Sequence, residues 1–100
     1  MSATATTSVA SIATAEPARI ILRLCKHWGH KFAVSLDERQ GRVDLPLGAC
    51  LMRAGDGELL FRLQGVPGAD MDKFEQVVAD HAQRMARGES YTWHWTRSAA

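Results

Sequence analysis

The chain is short of cysteine, of long apolar runs and of net charge, and each shortage removes a class of protein. Cys25 and Cys50 are its only cysteines, and they lack the paired spacing of a zinc ribbon or a CxxC redox site. Both read as reduced thiols, so no disulfide framework organises the fold. No apolar stretch approaches the roughly 20 residues that span a bilayer, and the small, polar start from Met1 to Ala15 has neither the basic and apolar runs of a signal peptide nor the arginines of a transit peptide. The default expectation is therefore a cytoplasmic protein without a membrane partner. A formal charge of +1 provides no global field for steering onto nucleic acid. Enzyme signatures are missing too: there is no G-x-G-x-x-G, P-loop, H-E-x-x-H or G-x-S-x-G.

What is present is ordinary globular composition, with 46% hydrophobic and 23% charged residues in 100 positions. That length suits a single core. The reading is one domain over 8–97, with tails at 1–7 and 98–100.

Periodicity then orders the elements. A first strand runs from near Ser8 to about Thr14, with Val9 and Ile12 as its apolar residues. Pro17 opens helix 1, which extends to about Trp28. At 100° per residue Ala18, Ile21, Leu22, Cys25, Trp28 and Gly29 share one side, and Arg19, Arg23, Lys26, His27 and His30 share the other. From Phe32 the period is two, with Phe32, Val34 and Leu36 on one face and a turn over Asp37 to Gly41. Val43, Leu45 and Leu47 point inward from the next strand, then Cys50, Met52 and Ala54, and Asp56-Gly57 signals a hairpin into Leu59, Phe61 and Leu63. Helix 2 covers about Asp70 to Arg87, burying Met71, Phe74, Val77, Val78, His81, Ala82 and Met85 and closing before Gly88. A last strand runs from Tyr91 to Arg97. The order β-α-β-β-β-β-α-β predicts an α+β fold, an antiparallel sheet with two helices packed on one face. The other face, carrying Ser35, Arg42, Asp44, Arg53, Arg62, Gln64, Thr92 and His94, is left wet.

Chemistry concentrates in Leu24 to Lys31, which holds a thiol, two imidazoles, an indole and two ammonium groups. His27 and His30, at i and i+3, are within reach of one metal, but two ligands do not make a site and Cys25 lies on the far side of the helix. Arg19, Arg23, Lys26, His27, His30 and Lys31 form a basic stripe suited to a carboxylate, phosphate or catecholate-bearing partner. The plainer reading is a solvated face whose last turn answers the helix dipole, with Asp72, Glu75 and Asp80 of helix 2 alongside to neutralise it. Nucleic acid fits less well, because no aromatic interleaves with these cations. Tyr91, Trp93 and Trp95 offer a platform for a ring-shaped ligand but more simply belong to the core. No cofactor is required by the sequence.

The run Leu22 to Lys31 (LRLCKHWGHK), with the Phe32-Ala33-Val34, Gly41-Arg42-Val43 and Gly48-Ala49-Cys50 segments and the long second helix, resembles the bacterial domain of unknown function family 2218. The resemblance spans about Ala10 to Trp95, and its signature is matched by Leu24, Cys25, Lys26, His27, His30 and Lys31. It implies a small cytoplasmic α+β domain, in some members near or fused to siderophore-interacting flavin reductases, and hence an iron-acquisition setting with a reductase or a siderophore-type anion as partner. The leading expectation is a non-enzymatic binding or accessory domain using the basic face of helix 1. A small redox or hydrolytic enzyme using Cys25, and a homodimer packed through the open sheet face, are the alternatives.

Overall fold

The strict alternation of Leu59, Phe61 and Leu63 with Glu58, Leu60, Arg62 and Gln64 makes the central strand of the sheet and fixes which of its faces is dry. In the computed structural model, which describes residues 5–99, the elements are β1 (Thr6–Ala13), α1 (Pro17–Trp28), β2 (Val34–Leu36), β3 (Gln40–Leu45), β4 (Gly48–Gly55), β5 (Glu58–Gly65), α2 (Met71–Met85) and β6 (Thr96–Ala99). They form one open sheet in the order β2-β3-β4-β5-β1-β6, with every neighbouring pair antiparallel. α1 lies over β3 and β4 and α2 over β5 and β1, both on the same face. The chain is thus the α+β fold that the pattern predicts. Among the described residues no helix is long and apolar enough to cross a membrane.

The core is a single cluster between sheet and helices, with Ile12, Val43, Cys50, Met52, Leu59, Phe61 and Leu63 from the strands under Ile21, Leu24, Trp28, Phe74 and Val78 from the helices. Each large apolar side chain enclosed here contributes about 1.5–3 kcal/mol. α2 starts as a capped helix, the Asp70 carboxylate accepting the Lys73 N–H at 3.1 Å.

Several local expectations are corrected. α1 buries Ile20, Ile21, Leu24, Cys25 and Trp28, while Ala18 and Leu22 face water, Leu22 at 46% exposure. Packed over the sheet and beside α2, the helix turns its stripe toward Leu24 and away from Leu22. In β1 the inward residues are Ser8, Ala10 and Ile12, so Val9 points the other way, since residues three apart cannot share a strand face. Gly41 is no turn residue but sits inside β3, where a Cβ would lie 2.8 Å from Ile21 Cγ2 and 2.9 Å from Cys25 Sγ. Its bare backbone lets α1 approach the sheet. The turn before it is built instead by Asp37, whose Oδ1 accepts the N–H groups of Arg39 and Gln40 at 2.9 Å. Pro46 and Leu47 are the tip of a two-residue hairpin, not a continuing strand, because Leu45 pairs with Gly48.

The ends differ as well. Tyr91 to Trp95 is not strand: Tyr91, Trp93 and Trp95 fold back over the core, with Trp93 5.4 Å from Phe61 between ring centroids and stacked on Trp95 at 5.5 Å. Only Thr96–Ala99 pairs with β1, matching Thr6 to Ala99 and Thr7 to Ser98. Ladder bonding thereby orders residues 6, 7, 98 and 99, which the sequence alone places in tails. Of those tails, residues 1–4 and 100 lie outside the described residues.

Candidate functional site

Where α1 ends, the backbone wraps around one carbonyl: Lys31 and Phe32 both donate their N–H to Trp28 O, at 3.0 and 2.9 Å. This tight exit leaves His30 and Lys31 exposed and sends Phe32 back toward the core. Opposite it stands the β3–β4 hairpin tip, Leu45, Pro46 and Leu47, and along the third side runs α2 with Lys73, Phe74, Val77 and His81. Between the three lies a hollow of about 790 Å³, open to solvent. Its wall is apolar, made by Trp28, Phe32, Leu45, Pro46, Leu47, Phe74 and Val77, and its polar lining consists of His27, His30, Lys31, Lys73 and His81. None of the lining side chains is acidic.

His81 is fixed in this arrangement. Its Nδ1 donates to the Val77 carbonyl at 2.7 Å, which leaves Nε2 as the free ring nitrogen. Its ring centroid lies 5.3 Å from that of His27 and 5.2 Å from Trp28, so the two helices meet through tilted imidazole and indole rings.

The basic stripe expected of α1 is divided by the fold. His27, His30 and Lys31 reach the hollow. Arg19 is a full helix length away, paired with Glu16 at 3.0 Å beside a separate small depression. Arg23 and Lys26 line neither. The acidic residues of α2 do not neutralise the stripe: Asp72 and Glu75 are held by Arg97 and Asp80 by Gln76, along a different cleft with Tyr91, Trp93 and Trp95. Lys73 and His81 are the hollow residues that the basic-stripe reading leaves out. Their signal is the spacing of Lys73, Val77 and His81 at i, i+4 and i+8, one face of a helix. Among the described residues no group of three or more His, Cys, Asp or Glu is placed to hold a metal ion.

The thiols lie elsewhere. Cys25 is buried against Gly41, Cys50 is completely enclosed, and burial pushes both thiols above the usual cysteine range, for Cys50 with added repulsion from Cys25. A nucleophilic cysteine needs the opposite, a lowered pKa and access. Iodoacetamide at pH 8 is expected to label neither cysteine in the folded protein and both after denaturation. Rapid labelling of native Cys25, read by mass spectrometry, would restore a cysteine enzyme as a reading.

An open-faced antiparallel sheet with two helices on one side makes this a small α+β domain, and its thiol-free apolar hollow carries a cationic rim. The chain belongs to the family described as uncharacterised protein conserved in bacteria, DUF2218, whose profile matches residues 9–96. Among solved structures it is similar to PA4090 from Pseudomonas aeruginosa, determined by NMR, at 38% identity over 90% of this chain and 94% of that one, with a TM-score of 0.74. No curated protein matches it.

Proposed function

We propose that the chain is a binding domain for a small amphipathic anion, a molecule with an apolar or aromatic body and an acidic head, held in the hollow between the end of α1, the β3–β4 hairpin and α2. One observation supports this above the others: an apolar wall meets a rim of three histidines and two lysines with no carboxylate among them. An apolar body of aromatic size buries about 150–250 Å², which at ~25 cal/mol/Å² offers ~4–6 kcal/mol before the cost of association. Lys31 and Lys73 then select an anionic head, and the exposed His27 and His30 imidazoles each offer one N–H to donate to it. Siderophore-type anions with aryl rings, and their iron chelates, are one subclass of such ligands, so iron handling is the narrower form of the proposal.

Calorimetric titration at pH 7 with laurate, and with dodecyltrimethylammonium as a cation of the same tail length, tests the class. Laurate is expected to bind at least tenfold more tightly than the cation. The exposed pair Lys31→Glu/Lys73→Glu is expected to remove that preference while leaving the circular dichroism unchanged. Equal affinity for both amphiphiles, or a laurate affinity indifferent to the double substitution, would exclude the proposal. A ferric catecholate titrated into the wild type and His27→Ala/His30→Ala tests the narrower form, and equal binding, or none to either, removes it.

A further inference from the structure

The face of the sheet turned away from both helices carries a pattern that solvation does not require. Across the strands, Arg42 stands opposite Leu51, Leu51 opposite Arg62, and Arg62 opposite Val9. One step along, Arg53 stands between Gln40 and Leu60. Guanidinium and aliphatic side chains therefore alternate across one row of β3, β4, β5 and β1, and along β4 and β5. Val9 and Leu60 remain 37% and 38% exposed, and the face is dished into a trough of about 820 Å³. Arg42 is paired with Asp44 at 3.1 Å, but among the described residues Arg53 and Arg62 make no ion pair.

Val9, Leu51 and Leu60 interrupt the polar residues that an open antiparallel face commonly carries, and each is flanked by an arginine. A second copy of the chain fits poorly, because two such faces would set unpaired arginines against one another. Single-stranded nucleic acid would need aromatic platforms, and these rows hold none. A lipid surface is flat where this face is concave.

We infer that this trough docks an amphipathic helix of a partner protein, with aliphatic side chains along its contact stripe and carboxylates flanking them. Its aliphatic stripe would cover Leu51, Leu60 and Val9, and its carboxylates would pair with Arg53 and Arg62. The dimensions agree: a helix is about 10–12 Å across, the width of two to three strands. This is recognition of a helix in a groove, with charge supplying register. It is independent of the hollow, which lies on the helical side.

The test is fluorescence anisotropy with a labelled helical peptide of about 18 residues, leucine at i, i+3, i+4 and i+7 and glutamate beside them. Saturable binding is expected, weakened at least tenfold by Arg53→Glu/Arg62→Glu and absent for the same peptide with lysine in place of glutamate. Both arginines are exposed, and Arg53→Gln/Arg62→Gln provides a milder pair if the reversal disturbs folding. Laurate binding is expected to be unchanged in either variant. No binding of the acidic peptide, or binding indifferent to the arginines, overturns the inference. So does sedimentation showing a dimer dissolved by the same substitutions, or arginine-dependent binding of oligothymidylate or phosphatidylglycerol vesicles in place of the peptide.

Discussion

Alanine at Gly48 is expected to cost the protein roughly 3 kcal/mol or more, a large share of the ~5–15 kcal/mol that holds a domain of this size together. Gly48 follows the Pro46-Leu47 tip with φ at +146°, in the region that side chains rarely enter. A Cβ there would lie 2.1 Å from the Gln64 carbonyl oxygen and 2.8 Å from Gly65 Cα. Both are backbone atoms of the neighbouring strand, so no rotamer change relieves the contact. The chain can only separate β4 from β5 at the Gly48–Gly65 end of their ladder, beside the hairpin that walls the hollow. Urea unfolding of Gly48→Ala should show a sharply lowered midpoint, and laurate affinity should fall with it. A midpoint equal to that of the wild type would contradict the packing described.

The second large effect is expected at Glu75, the charged residue that is buried. Its Oε2 accepts from Ser8 Oγ at 2.6 Å and from Arg97 Nε at 2.8 Å, and its Oε1 accepts from Arg97 Nη2 at 2.9 Å, so one carboxylate joins β1, α2 and β6. Ser8 is fully enclosed. Truncation to alanine leaves its hydroxyl without that acceptor, at a cost of about 2–3 kcal/mol. The same network makes stability acid-sensitive. The Arg97 hydrogen bonds, opposed by burial and by Asp72 and assisted by Ser8, hold the Glu75 carboxyl below its ordinary value of 4.5. A carboxyl with a depressed folded pKa contributes fully above its unfolded value, and the contribution is lost as pH falls toward the folded one. Between pH 7 and pH 3 the wild type should therefore lose more melting temperature than Glu75→Gln, whose amide does not titrate. Parallel losses in the two proteins would show that the pair contributes nothing to acid sensitivity.

Legibility differed among the elements for physical reasons. β4, β5 and the course of α2 are read correctly because their apolar residues recur at the period of the element, and the Asp56-Gly57 turn and the Asp70 cap bound them locally, but in α2 Val77, His81 and Met85 are only half-buried while Glu75 is enclosed. α1 is placed correctly but its buried face is displaced, because Ile20, Ile21, Leu22, Leu24 and Cys25 offer apolar side chains over a wide arc and packing selects among them. Tyr91 to Trp95 alternates as a strand would, yet the bulk of the indoles is better buried over Phe61 than in the ladder. Gly41 reads as a turn because its reason for being glycine, the approach of Ile21 and Cys25, comes from residues distant in sequence.

The candidate site divides along the same line. Sequence by itself determined the element order, the inward parity of the central strands, the separation of Cys25 from His27 on opposite sides of α1, and the family resemblance. It also put His30 and Lys31 at the end of that helix, because helical spacing is a local property of the chain. The tertiary structure alone decided that His27 and His81 stand 5.3 Å apart, that Lys73 joins Lys31 on one rim, and that Arg19 is left out. It alone turned Asp72 and Glu75 away toward Arg97. Periodicity fixes which face of its own helix a side chain occupies. What stands opposite depends on how two helices cross over a shared sheet and where a hairpin tip closes the gap, and those contacts join residues dozens of positions apart.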